Sequence, residues 1–125
     1  MSLTKKIDFA VVFCVRNANP NGDPLDGNRP RRTYEGLGEV TDVCIKRKIR
    51  DRLMESGYQI FVQSDDNKMD DHPSLRSRSD AVLPKNGSSD DIVRKACDTW
   101  FDVRAFGQLF AFKSDKKSKA DGGEN

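Results

Sequence analysis

Near the start of the chain, Ile7, Phe9, Val11, Phe13 and Val15 alternate with Asp8, Ala10, Val12, Cys14 and Arg16. A period of two places the first set on one face of a strand. The second set is apolar in its middle, so the pattern predicts a central strand covered on much of both faces. Over residues 40–56 the period changes. Ile45, Ile49 and Leu53 recur every fourth residue, which predicts a helix with one core stripe. Lys46 and Arg50 flank one side of that stripe, and Lys48 and Arg52 flank the other. Thr41 or Glu39 can begin the helix, Asp42 lies in the first turn where the dipole favours an anion, and Gly57 supplies the stop. Residues 58–63 then predict a second strand.

The intervening residues 17–38 contain Pro20, Pro24 and Pro30 with Gly22, Gly27, Gly36 and Gly38, a composition that predicts one long loop. Loops of that length inside a compact domain are generally functional or disordered. Residues 64–87 carry little apolar content and predict a mobile insertion. Ser88 with Asp91 forms a capping box in which Asp replaces Glu, and it opens a further helix whose Ile92, Val93, Ala96, Cys97 and Trp100 have helical spacing. Phe101, Phe106, Phe110 and Phe112 follow, an aromatic run suited to a core or an oligomer contact. Residues 113–125 are almost wholly polar and predict a disordered tail after a single partial domain over residues 1–112.

Composition sharpens this picture. Apolar residues make up 35% of the chain and charged residues 34%, with a mean hydropathy of −0.75, so one small core with loosely held stretches is expected. A net charge of +2 says little about partners, but its distribution says more. Between Arg29 and Arg52 there are eight Lys or Arg against four Asp or Glu, while the chain from Ser64 to Asp91 turns acidic. Such polarisation favours an anionic partner on one side. Cys14, Cys44 and Cys97 lie far apart with no CxxC spacing, which argues against zinc and a disulfide framework and for reduced thiols in a cytoplasmic protein. Lys5, Lys6 and Asp8 stand where a signal peptide would need an apolar stretch, and no apolar run approaches the ~20 residues of a membrane span.

Candidate chemistry concentrates in two places. Asn17, Asn19, Asn21 and Gly22 match the first half of an EF-hand loop, but the twelfth position is Asn28 rather than a bidentate Glu, and a predicted strand precedes the loop. Two other readings of these residues are Asx turns held by Pro and Gly, or glycines that let backbone N–H groups approach a phosphate. Arg29, Arg31 and Arg32 lie near Tyr34 and, with Lys46, Arg47, Lys48, Arg50 and Arg52, supply candidate phosphate contacts or stacking partners for a base. The competing reading is a solvated helix face, with Asp42–Lys46 and Arg47–Asp51 at pairing distance along the helix. Catalysis is poorly supported. The single histidine, His72, sits beside Asp70 and Asp71 in a segment with nothing to fix its geometry, and no Walker loop, nucleophile elbow or HExxH is present. A metal-dependent nuclease using Asp23, Asp26 or the Asp65 to His72 cluster is the enzymatic alternative; a protein-interaction fragment that binds no nucleic acid is another. No cofactor or metal is called for.

Three segments, NANPNGDPLDGNRPR from Asn17, GEVTDVCIKRKIR from Gly38 and DVRAFGQLFA from Asp102, together resemble the backbone subunit of the type I-C Cascade complex, in the repeat-associated RNA-binding superfamily. Type I-B backbone subunits share the NPNGDP loop and a similar helix; the Cys44-Ile45-Lys46-Arg47-Lys48 version is more similar to type I-C. The resemblance implies an α+β fold, a modified RRM-like (ferredoxin-like) palm with large inserted loops. Because family members continue into further strands, that palm is expected to be incomplete at its C-terminus, leaving a sheet edge for another chain. It implies a non-catalytic subunit that grips CRISPR RNA by its backbone, independent of sequence, beside copies of itself and other Cascade subunits, and meets target DNA only through the guide. Arg16 and the loop with Asn19, Asn21 and Gly22 would border the RNA path, and Lys46, Arg47, Lys48 and Arg50 would meet phosphates; Arg29, Arg31, Arg32 and Arg52 join them as RNA contacts on the charge pattern. Arg104 and Gly107 are weaker candidates.

Overall fold

A computed structural model describes residues 5–110, and the chain divides between Arg47 and Lys48 into two compact units. In the first unit, residues 17–41 fold as a small meander instead of an irregular loop. Strands β1 (Gly22–Asp23) and β2 (Arg29–Pro30) pair antiparallel, with Gly22 opposite Pro30 and Asp23 opposite Arg29. A 3-10 turn over Pro24–Asp26 joins them; Asp23 caps it by accepting the Leu25 N–H, and Gly27 and Asn28 close it in the left-handed region. A second reversal follows, with a bridge between Arg32 and Gly38 and Gly36 at φ 82°. Arg31 lies between the two turns: its N–H donates to the Asn21 carbonyl and its carbonyl accepts from the Glu39 N–H. The prolines and glycines therefore specify tight reversals, and the residues between them find backbone partners locally.

The predicted strand over residues 7–15 has no ladder partner among the described residues, and its large apolar side chains are exposed, Phe9 at 79% and Val12 at 93%. Alternation tells which residues would share a face; a strand also needs neighbours for its N–H and C=O groups.

The predicted helix forms as α1 (Asp42–Glu55), within two residues of the expected bounds at its start. It begins in the first unit and ends in the second. Its predicted stripe is covered only at the far end: Met54 is buried and Leu53 half-buried, while Ile45 and Ile49 remain exposed.

In the second unit, α2 (Leu75–Val82), α3 (Ser89–Thr99) and α4 (Phe101–Phe106) surround Phe61. Phe61, Ala96, Trp100 and Val103 form the buried cluster, and Phe110 packs its ring 5.2 Å from Phe61. The Ser88–Asp91 capping box is present in full and starts α3 where the sequence places it. Residues 64–87, expected as an insertion without an element, carry α2, with Arg78 and Ser79 buried. Residues 58–63 are buried at Ile60 and Phe61 but do not form a strand. The reason is chemical: Asp102 takes the Phe61 and Val62 N–H groups at 2.7 and 3.1 Å, and Arg78 Nη1 takes the Phe61 carbonyl at 2.7 Å. Side chains satisfy the groups a sheet would have used. The α+β palm with RRM-like topology thus remains an expectation about a longer sheet; the described residues contain only the two-stranded β1–β2 pair. Phe112 and the tail over residues 113–125 lie outside the described residues.

Candidate nucleic-acid interface

The loop residues divide into those that build the meander and those that point out of it. Asn19 Nδ2 donates to the Asn28 carbonyl at 2.7 Å. Gly22 lies close under the Asn28 side chain, which would have to shift to admit a Cβ there. Asn21 is turned inward. Its Oδ1 accepts the Thr41 N–H at 3.0 Å and the Thr41 hydroxyl at 2.9 Å, and its Nδ2 donates to the Gly22 carbonyl. The two acidic residues considered for a metal are also engaged within the loop: Asp23 caps the 3-10 turn and lies 3.9 Å from Arg31, and Asp26 lies 3.9 Å from Arg29.

Among the cations, Arg31 is half-buried and its Nε binds Glu39 at 2.9 Å, so its side chain braces the meander. Arg16, Arg29 and Arg32 are exposed; Arg29 has only the long contact to Asp26, and Arg16 and Arg32 have no ion pair among the described residues. These three are the open cations of the first unit's loop.

On α1 the expected phosphate contacts separate in the same way. Lys48 is exposed and makes no ion pair among the described residues. Lys46 binds Asp42 at 2.9 Å, one turn away, and Arg52 binds Glu55 at 2.7 Å, both in surface pairs that cost little to exchange for a phosphate. The Lys46 hydrogen bond, with its charge, holds the Asp42 carboxyl below its usual range. Arg47 is half-buried. Arg50 is different: its Nε binds buried Asp102 at 2.9 Å, its guanidinium lies 5.1 Å from the Phe106 ring centroid, and its side chain is 14% exposed. The structure commits Arg50 to holding α1 against α4, which removes it from the open phosphate contacts.

Periodicity and charge runs give Asp102 no role, although an Asp between Phe101 and Val103 in an aromatic run is a visible anomaly. Its neighbours in the same motif are structural too. Arg104 Nη1 donates to the Cys97 carbonyl at 2.8 Å and lies over Phe101, and Gly107 ends α4 at φ 75° with its N–H on the Val103 carbonyl. Asp70 and His72 are likewise drawn into structure. Asp70 receives Arg78 Nε and Nη2 at 2.7 and 2.8 Å plus the His72 N–H, and this bonding holds its carboxyl down at about 2 despite partial burial. These groups line a cavity of about 370 Å³ with Tyr58, Gln63 and Trp100, in which Arg78 is already neutralised by Asp70.

The comparisons with known proteins bear on this arrangement. The family model described as CRISPR-associated protein Cas7 matches residues 5–123. The chain belongs to the Cas7 family. A curated relative named CRISPR-associated protein Cas7, from Haloferax volcanii, is 30% identical over an alignment that covers 95% of this chain. The chain spans 36% of that relative's length. The Cas7 match takes in the meander, α1 and the motif around Asp102 together, so the residues that brace the loop and the residues that face out of it belong to one family segment.

Proposed function

We propose that this chain is the RNA-gripping portion of a CRISPR-associated Cascade backbone subunit, non-catalytic, cytoplasmic and closest in type to the I-C branch. The observation that carries the reading is the Cas7 family match, which runs through both the braced loop and the basic helix. The chemistry agrees with it. Arg16, Arg29 and Arg32 on the loop and Lys46, Lys48 and Arg52 on α1 are cations suited to contact phosphates, which are alike at every nucleotide. The bases are then left to pair with a target strand, the division of labour that guide-directed complexes use. The I-C assignment rests on the Cys44-Ile45-Lys46-Arg47-Lys48 version of the helix.

Fluorescence anisotropy of a labelled single-stranded RNA across a salt series tests the proposal. Each phosphate neutralised on a single strand adds ~0.7 to the steepness of log K against log salt. Four to six contacts give a slope of about −3 to −4, the same for RNAs of different sequence. Absence of binding at low salt, or a strong preference among sequences of equal length, would overturn it. Incubating the same RNA with protein and Mg²⁺ should leave it uncut.

A further inference from the structure

We infer that Asn21 is a positioning residue for the RNA grip: its carboxamide locks the arginine-bearing loop to the first turn of α1 and does not itself meet the RNA. The inference deepens the RNA-binding reading and rests on it for its functional arm. Thr41 is the N-cap of α1. Its carbonyl accepts the Ile45 N–H at 3.1 Å and its hydroxyl accepts the Cys44 N–H at 3.3 Å. A cap residue's own N–H has no partner inside the helix, and here Asn21 Oδ1 supplies one at 3.0 Å. The same oxygen accepts the Thr41 hydroxyl proton at 2.9 Å, which leaves that hydroxyl's lone pairs free for Cys44. Because an N–H can only donate, the amide atom facing Thr41 is the oxygen, and the orientation of Asn21 follows from its partner.

Both acceptors of Asn21 are thereby occupied, and its amide donor is engaged within the loop. Both lone pairs of Oδ1 are used by Thr41, the backbone carbonyl takes the Arg31 N–H at 2.9 Å, and Nδ2 gives one hydrogen to the Gly22 carbonyl at 3.0 Å. A second stitch lies beside it, where the Cys44 thiol approaches the Pro20 carbonyl at 3.3 Å. The first unit has no buried apolar side chain among its described residues, so these polar bonds carry the job a core does elsewhere. Arg31 and Asn21 share a backbone bond, and Arg29 and Arg32 lie within two residues of Arg31, so the lock also sets where these open cations stand. Fixing them before RNA arrives removes ordering costs from the binding step.

Salt dependence separates positioning from contact, because only a lost phosphate contact changes the slope. In the full chain, Asn21→Ala should weaken binding of single-stranded RNA about tenfold, the size expected for lost preorganisation, with the salt slope unchanged. Arg32→Ala, a loss of contact, should weaken binding and make the slope shallower by ~0.7. Hydrogen exchange gives a second readout that needs no RNA: the Thr41 and Cys44 amides should exchange faster in Asn21→Ala and recover in Asn21→Asp, which keeps the acceptor oxygens. Fluorescence of Trp100, the single tryptophan, reports that the second unit is folded in each variant. A shallower slope in Asn21→Ala, or exchange at those amides that does not change, would overturn the inference. If the unaltered protein binds no RNA, the functional reading fails, while the exchange arm still decides whether Asn21 holds the loop to α1.

Discussion

A carboxylate that is only 1% exposed is tolerated where its oxygens are filled, and those of Asp102 are filled by the Phe61 and Val62 N–H groups and by Arg50. One side chain thus replaces two rungs of a sheet and neutralises a cation that would otherwise be stranded in a half-buried position. Removing it leaves two inward-facing N–H groups without an acceptor and the Arg50 guanidinium without its anion. Asp102→Ala should lower the unfolding free energy by about 3–5 kcal/mol, the range for breaking a buried pair at one end. Urea denaturation followed by Trp100 fluorescence measures this; a loss below ~1 kcal/mol would mean that water replaces the carboxylate without strain. Arg50 carries the lesson for reading charge from sequence. It lies one turn from Lys46 on the same side of the stripe, yet Arg50 binds buried Asp102 while Lys46 pairs with Asp42 at the surface. Spacing on a helix tells which residues are neighbours and is silent about what the opposite element brings.

At the scale of elements, the helices were legible where the sequence carries local stop and start signals. The α1 pattern and the Ser88–Asp91 box appear where expected because a cap and a period act within a few residues. α2 was not legible: Leu75, Ala81 and Val82 are too few to make an apolar face. What anchors it is buried Arg78, reaching Asp70 and the Phe61 carbonyl. That anchor has a pH signature. The Asp70 carboxyl lies at about 2 in the folded chain against an ordinary 3.8, so the folded state favours its ionised form. A carboxyl lowered by that amount contributes roughly 2 kcal/mol, present in full above pH ~4 and lost as pH falls through ~2. Acid unfolding profiles of the unaltered protein and Asp70→Asn should therefore differ most above pH ~4 and converge near pH ~2. Curves that stay parallel throughout that window would assign the stabilisation to other carboxylates.

For the whole molecule, the segment over residues 7–15 is the feature with the largest consequence. Its Phe9, Val11, Val12 and Phe13 are exposed and form no ladder among the described residues. Such a segment is a template for strand pairing. The chain should accordingly gain mass with concentration in light scattering, and Phe9→Lys with Val12→Lys should suppress the gain. A constant monomer mass in the unaltered protein at high concentration would show that this segment does not pair with a second copy. By itself the sequence determined what depends on near neighbours: the extent of α1, the capping box, the turn residues of the meander, and the basic character of loop and helix. Only the tertiary structure decided which of those cations face outward, that Asn21 turns inward to Thr41, and that residues 58–63 bond to Asp102 and Arg78 instead of to a sheet. Those outcomes depend on which distant groups arrive at a backbone N–H or a guanidinium first and fill it. Periodicity along one segment contains no information about a partner some 40 residues away.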